Sequence, residues 1–287
     1  MSDASITPQR LPPQICWNAA MTQILQVPEG TLSFEDTGGD GRLVVAAPGM
    51  GDIRQVYRHV IPELAGRGLR VATMDLRGMG SSSVEWPDYS DAAIGGDMLA
   101  LVRHLDSASA VLVGNSLTAA SAVIAAVEAP SLVAGIVLIG PFAREVPAPG
   151  WQKLAFRATL LPPWGRGAWT SYYRKQMYPG TKPPDHETYV ARLNSNLAET
   201  GRFAAFRALA FNSHAASESK LGSVQCPSLV IMGTADPDFP DPTAEANGLA
   251  EMLGADVLLV EGAGHYPQAQ EPITVANAIA DFAARLG

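Results

Sequence analysis

Cysteine and long apolar runs are both scarce in this sequence. Its two cysteines among 287 residues, Cys16 and Cys226, lack the paired spacing of a zinc site and do not make a disulfide framework. No uninterrupted apolar stretch approaches the roughly 18 residues of a membrane-spanning helix. The first residues lack the basic segment and following apolar segment of a secretory signal. We therefore expect a cytoplasmic protein with no membrane partner.

Positive charge is also in short supply. The chain has 20 Lys and Arg residues but 28 Asp and Glu residues, which gives a formal net charge of −8. An acidic chain repels the phosphates of nucleic acid, so we expect no nucleic-acid partner. The chain is 47% hydrophobic and 17% charged, which suits a large buried core and excludes a disordered chain. The expected partner is a small molecule, and the sequence leaves monomer and homodimer open.

Short apolar runs alternate with helical patterns through much of the chain. The runs are rich in Val, Ile and Leu, as strands buried on both faces of a parallel sheet are. They cover residues 43–47, 70–74, 110–114, 132–139, 228–232 and 257–260, with a possible earlier antiparallel strand at 31–35. Helices are predicted over residues 53–65, 92–105, 117–129, 243–253 and 273–286. This alternation predicts an α/β fold with a mostly parallel central sheet flanked by helices.

The alternation stops between residues 142 and 221. This stretch has no strand-like run, contains helical patterns at 189–197 and 202–211, and holds 12 of the 20 Phe, Trp and Tyr residues. We predict that 142–221 form a helical cap inserted into a core domain of residues 1–141 and 222–287. Most of the aromatic side chains are expected to form the core of the cap, and a few to face a ligand pocket.

Ser116 follows the predicted strand 110–114 directly and precedes a helix of small residues. A tight turn from strand to helix would hold its hydroxyl above the edge of the sheet. The unpaired N–H groups of the helix start would then point at negative charge developing beside that hydroxyl. Ser116 is therefore a candidate nucleophile, although a serine at such a turn can also serve only as a helix cap.

A serine nucleophile requires a base, and the base requires an acidic partner that orients it. His265 lies in a Gly-rich loop after the last predicted strand and is the candidate base. Asp236 and Asp238 follow strand 228–232 and reach the same sheet edge as Ser116, so either could serve His265. The other histidines are expected to be surface or packed side chains: His59, His104, His186 and His214.

The loop at residues 48–52 follows another predicted strand. Its Met50 N–H and the Leu117 N–H are the candidate oxyanion donors, which must lie beside the nucleophile. The Gly-x-Gly at 49–51, together with Asp75, also partly matches a dinucleotide-binding fingerprint and would suggest a nicotinamide enzyme. Arg54 stands where that fingerprint requires its third glycine.

The order Ser116, Asp236, His265, each on a loop after a strand, resembles the α/β-hydrolase superfamily. Residues 75–82 are similar to its D-x-R-G-x-G-x-S loop, and residues 233–240 match its G-x-x-D-x-x-x-P motif. The resemblance runs from about residue 30 to 286 and favours Asp236 over Asp238 as the acid. Two positions depart from it. Thr118 replaces the second glycine of the serine turn, where some rearrangement is expected, and Pro48 replaces a histidine before the oxyanion glycine.

The resemblance implies acyl transfer to Ser116 followed by hydrolysis, without a metal or organic cofactor. Serine at this position excludes the mechanism of the superfamily's dehalogenases and epoxide hydrolases, which use aspartate there. Esterase, lactonase, carbon–carbon bond hydrolase and perhydrolase activities stay open, as does a ligand receptor. The aromatic-rich cap favours carboxylic esters of small to medium apolar substrates.

Overall fold

The computed structural model describes residues 22–145 and 149–286, so Cys16 lies outside the described residues. These residues form eight strands and eleven α-helices. The strands are β1 (Gln23–Val27), β2 (Gly30–Asp36), β3 (Leu43–Ala47), β4 (Arg70–Met74), β5 (Ala110–Asn115), β6 (Val133–Ile139), β7 (Ser228–Gly233) and β8 (Asp256–Val260). The helices are α1 (Ile61–Gly66), α2 (Asp91–His104), α3 (Thr118–Glu128), α4 (Gly150–Thr159), α5 (Gly165–Lys175), α6 (His186–Ala198), α7 (Arg202–Ala210), α8 (Ala215–Glu218), α9 (Pro242–Leu253), α10 (Pro267–Gln270) and α11 (Pro272–Ala284).

All eight strands belong to one sheet with the order β1-β2-β4-β3-β5-β6-β7-β8. Strand β2 pairs in antiparallel fashion with β1 and β4, and the pairings from β4 onward to β8 are parallel. Every residue of β3, β5 and β7 is buried, which explains their continuous apolar runs. The predicted fold, a mostly parallel sheet flanked by helices, is confirmed. The loops after β3, β5, β7 and β8 therefore meet at one edge of the sheet.

One local prediction was wrong, and one strand was not predicted. The helix expected over 53–65 is a 3₁₀ turn at Arg54–Tyr57 followed by the short α1. The Arg54 N–H donates to the Asp75 carboxylate at 2.8 Å, and Pro62 occupies the first turn of α1, so the longer helix does not form. Strand β1 lies at the sheet edge and buries only Leu25, so its apolar residues neither alternate with polar ones nor form a continuous run.

Residues 149–221 contain helices α4 to α8, and within this described stretch there is no strand. Helix α6 contacts both α5 and α7. Their shared interior buries several of the aromatic side chains: Trp169, Tyr173, Tyr189 and Phe206. Across the described ranges, no helix combines the length and apolar character needed to cross a membrane.

Candidate active site

Ser116 occupies a strained turn between β5 and α3. Its φ is +58°, a left-handed conformation that residues with side chains seldom adopt. The Ser116 N–H donates to the Ile139 carbonyl at 2.8 Å and the Ser116 carbonyl accepts from the Phe142 N–H at 3.1 Å. Gly114 allows the turn to close, because a Cβ there would lie 2.3 Å from the Thr118 carbonyl oxygen. The hydroxyl is thereby held at the end of β5, on the wall of a cavity.

Thr118, the departure from the superfamily's glycine, takes part in the turn through its hydroxyl. Its Oγ1 donates to the Ala47 carbonyl at 2.9 Å and accepts from the Asn115 N–H at 2.9 Å. The side chain is fully buried. The turn therefore accommodates threonine by linking the end of β5 to the end of β3.

His265 lies after β8 with its Nδ1 2.7 Å from Oδ2 of Asp236. Asp238 Oδ2 is farther from the same nitrogen, at 3.5 Å, and its other oxygen accepts a hydrogen bond from the Tyr172 hydroxyl. Burial opposes the charged form of His265, but the negative charges of Asp236 and Asp238 outweigh burial and raise the pKa of His265 to about 9. Burial also raises the pKa of Asp238 above its ordinary value.

The Ser116 turn and the His265 loop are in contact. Asn115 Nδ2 donates to the His265 carbonyl at 3.5 Å. A Cβ on Gly140, which follows β6, would lie 3.2 Å from His265 Nδ1 and 3.3 Å from Asp236 Oδ2. Between these described residues, no hydrogen bond joins the Ser116 hydroxyl to the His265 ring; such contacts often tighten only when substrate binds.

The loop after β3 lies against Ser116. A Cβ on Gly49 would be only 2.9 Å from the Ser116 Cβ. The N–H groups of Met50 and Leu117 make no hydrogen bond to any residue in the described ranges, and both residues line the same cavity as Ser116. Two unpaired donors beside a serine hydroxyl form a site where negative charge on an oxygen would be stabilised.

The cavity above Ser116 has a volume of about 550 Å³ and is mostly apolar. Ten of its lining residues are Met50, Leu117, Phe142, Phe156, Leu160, Ala168, Trp169, Met177, Leu209 and Ala210. The other five carry polar groups and are Ser116, Thr159, Tyr172, His214 and Asp238. Four aromatic side chains from the predicted cap segment thus face the cavity.

His214 was missed as a candidate site residue. His214 lines the cavity, and its Nδ1 is 2.8 Å from Oδ2 of the buried Asp91. The partners lie 123 residues apart, so no local motif could have signalled the pair. The remaining histidines have other surroundings: His59 contacts Asp185, His104 packs edge-on against Phe34, and the buried His186 lies beside Tyr178.

Two features bear on cofactors. Among the described residues, the possible metal-ligand atoms of Asp236, Asp238 and His265 lie within 4.8 Å of one another. Two of the three groups are paired with each other, since His265 contacts Asp236, and Asp238 accepts a hydrogen bond from Tyr172. The Asp75 carboxylate, which a nicotinamide enzyme would use for a ribose, accepts hydrogen bonds from Ser33 and Arg54 instead. Neither group presents a free donor set for a cofactor.

Comparisons with known proteins agree with this fold. The model of the alpha/beta hydrolase family matches residues 44–278. A thermophilic esterase from Thermogutta terrifontis superimposes with a TM-score of 0.79 at 24% identity, over 92% of this chain and 99% of that chain.

Two plant relatives match part of the sequence. A probable esterase of Oryza sativa subsp. japonica is 32% identical over 112 residues, 37% of this chain and 41% of the relative. "Karrikin insensitive 2 receptor IA" of Petunia hybrida is 30% identical over 118 residues, 39% of this chain and 42% of the relative. The chain thus spans less than half the length of each of these relatives. The family match, by contrast, extends over most of the sequence, and this protein belongs to the alpha/beta hydrolase family.

Proposed function

We propose that this protein is a serine hydrolase that cleaves carboxylic esters of small to medium apolar substrates. The observation that carries the proposal is the meeting, in one apolar cavity, of the strained Ser116 and the unpaired Met50 and Leu117 N–H groups. The buried His265–Asp236 pair lies next to this turn and supplies a base with an oriented ring.

In the proposed reaction, Ser116 Oγ attacks the ester carbonyl carbon while His265 Nε2 takes the hydroxyl proton. Asp236 accepts from Nδ1–H, which leaves Nε2 as the proton acceptor. The Met50 and Leu117 N–H groups stabilise the oxyanion. Collapse breaks the ester C–O bond, and His265 gives its proton to the departing alcohol. Water then attacks the acyl-enzyme and gives a proton to His265. His265 passes this proton to Ser116 Oγ as the bond between Oγ and the acyl carbon breaks, which releases the acid and regenerates Ser116.

The cavity supports an apolar substrate. Its volume of about 550 Å³ suits a small molecule, and Phe142, Phe156 and Trp169 offer aromatic surface to an aliphatic or aromatic chain. Ester hydrolysis is chosen over the other reactions of a serine nucleophile because esterases occur among the similar proteins and structures.

Labelling with a fluorophosphonate probe, followed by peptide mapping, tests the nucleophile without knowledge of the substrate. We expect modification at Ser116 that disappears in Ser116→Ala and His265→Ala. A panel of p-nitrophenyl esters then tests the reaction, with activity expected in the wild type and absent in Ser116→Ala. Labelling at another residue would contradict the proposal, and cleavage of a vinylogous diketone without ester cleavage would favour a carbon–carbon bond hydrolase.

A ligand receptor is the second candidate function, and the match to the petunia receptor favours it. A receptor would use the same cavity and serine but release product slowly and once per molecule. Pre-steady-state measurement with a chromogenic ester separates the two functions. Repeated turnover supports the hydrolase, whereas a single equivalent of product followed by no further release supports the receptor.

A further inference from the structure

We propose that His214 and Asp91 form a subsite that binds a hydroxyl group of the substrate, remote from the bond that is cleaved. This inference deepens the proposed ester hydrolysis and rests on it for the identity of the substrate class. It assigns the substrate as an apolar ester that carries a hydroxyl on the part of the molecule crossing Phe142.

The His214 ring is held in a fixed orientation. Its Nδ1 is 2.8 Å from one oxygen of Asp91, and the other oxygen accepts from Asn212 Nδ2 at 2.8 Å. The backbone N–H of His214 donates to Oε1 of Glu145 at 2.8 Å, and the Ser213 hydroxyl donates to the same oxygen at 2.6 Å. A buried carboxylate is costly unless it is hydrogen-bonded. Asp91 is buried and fully paired, which makes it a positioning residue for His214.

His214 lines the cavity, and its second ring nitrogen, Nε2, makes no hydrogen bond to the residues that the structure describes. Donation of Nδ1–H to Asp91 leaves Nε2 of the neutral ring as an acceptor. The cavity wall is mostly apolar and includes Phe142, Leu209 and Ala210. A ligand that displaces water from Nε2 in such surroundings gains by donating a hydrogen bond to it.

A hydroxyl fits this nitrogen better than an anion or a hydrocarbon. A hydroxyl donates to Nε2 of the neutral ring and accepts from it when the ring is protonated, so it pairs in either state. An anion would approach the carboxylates of Asp91 and Glu145, both of which contact the His214 residue. A hydrocarbon would leave Nε2 unpaired.

The position of the subsite follows from Phe142. The Phe142 ring centroid is 6.3 Å from that of His214 and 6.0 Å from that of His265. The candidate base and the subsite histidine therefore both lie beside the same phenyl ring. A substrate that reacts at Ser116 would cross Phe142 with an apolar segment before its hydroxyl reaches His214.

Two series of esters test the subsite. One has a p-nitrophenyl leaving group and acyl chains of increasing length that end in a methyl, methoxy or hydroxyl group. The other has a fixed acyl group and carries the same endings on the alcohol. In one series, at a particular chain length, we expect kcat/KM to favour the hydroxyl about fivefold, since one net hydrogen bond contributes about 1 kcal/mol.

The variant His214→Phe should abolish this preference, and Asp91→Asn should reduce it because the ring is no longer fixed. His104→Phe is the matched control: it makes the same replacement at an exposed histidine that packs against Phe34, outside the cavity. It should retain the preference. Circular dichroism and thermal melting of each variant identify any that fail to fold.

Calorimetric binding to Ser116→Ala separates failure of the subsite from failure of the proposed function. Unreactive methyl ketones with and without a terminal hydroxyl replace the esters. A hydroxyl preference in binding that His214→Phe removes supports the subsite even if no ester is hydrolysed. Ser116-dependent ester hydrolysis without a hydroxyl preference in either series, or a preference unchanged in His214→Phe, overturns the subsite and leaves the hydrolase proposal standing.

Discussion

The Tyr173 hydroxyl donates a 2.7 Å hydrogen bond to Oδ2 of Asp52. Asp52 lies in the loop that carries Met50, and Tyr173 belongs to α5, which also contributes residues to the cavity wall. Tyr189 of α6 donates to the other oxygen of the same carboxylate. One fully buried carboxylate therefore joins the candidate oxyanion loop to two helices of the segment between β6 and β7.

The first prediction concerns stability against pH. Burial raises the pKa of Asp52 from 3.8 to about 6, although the Tyr189 and Tyr173 hydrogen bonds oppose the rise. The native protein then holds a proton between these values that the unfolded chain releases, so its stability falls as pH rises from about 4 to 6. Asp52→Asn has no carboxyl group to titrate, so it should not lose stability in this way. The free energy of unfolding of the variant minus that of wild type should therefore grow by up to about 3 kcal/mol between about pH 4 and pH 6.

Urea denaturation of both proteins at a series of pH values measures this change. Tyr173→Phe provides a comparison that keeps the carboxylate while removing one hydrogen bond to it. A difference between wild type and Asp52→Asn that stays constant from pH 4 to pH 7 would show that Asp52 does not titrate in this way.

Sequence reasoning could find candidate site residues where they lie just after strands. Ser116, Asp236 and His265 each follow an apolar run within a few residues, and the parallel sheet brings such loops to one edge. The central strands were equally predictable, because burial on both faces requires an uninterrupted apolar run.

Contacts between distant segments could not be predicted in this way. Asp91 and His214 are 123 residues apart, and Asp52 and Tyr173 are 121 apart. Each residue has an ordinary local sequence, and its role appears only when α2 or the β3 loop meets the helical segment. The helix predicted over 53–65 was wrong for the same reason, because a hydrogen bond from Arg54 to the distant Asp75 determines the path of the backbone there.

The second prediction concerns the threonine in the serine turn. Thr118→Val preserves shape and removes the hydroxyl that bonds the Ala47 carbonyl and the Asn115 N–H. Leaving these buried groups without that partner should lower the free energy of unfolding by about 2 kcal/mol. Thr188→Val, at an exposed position of α6, is the matched control and should change it by less than about 0.5 kcal/mol. Chemical denaturation provides both values, and equal effects of the two variants would refute a role for the hydroxyl.

The third prediction distinguishes the two acids near His265 by a pH profile. A base works in its neutral form, so kcat/KM should rise with pH through about 9, the raised pKa of His265. Asp238→Asn removes one nearby negative charge, which should lower this pKa and move the rise to lower pH. Asp236→Asn removes the 2.7 Å partner and should instead reduce kcat by about four orders of magnitude.

Initial rates on one p-nitrophenyl ester, from neutral to alkaline pH, provide these profiles. Asp256→Asn, at an exposed carboxylate beside Arg285, controls for a general loss of negative charge and should leave the profile in place. If Asp238→Asn caused the large loss in kcat and Asp236→Asn only the shift, the assignment of the acid would be reversed.

The fourth prediction concerns the contact between the oxyanion loop and the nucleophile. In Gly49→Ala the new methyl group would lie 2.9 Å from the Ser116 Cβ and 3.4 Å from Asn115 Oδ1, so the loop and the serine must move apart by a few tenths of an ångström. Reaction geometry is sensitive to such displacement, and kcat should fall by about tenfold, less than the roughly hundredfold that a displacement of about 1 Å can cause. Gly66→Ala is the matched control, because a Cβ there meets no atom within 4 Å.

The steady-state kcat and the rate of fluorophosphonate labelling should both fall in Gly49→Ala alone, since the same serine limits both. A Gly49→Ala variant with the wild-type kcat and labelling rate would mean that the loop can retreat from Ser116 without disturbing the site, and the Met50 N–H would then lose its assignment as an oxyanion donor.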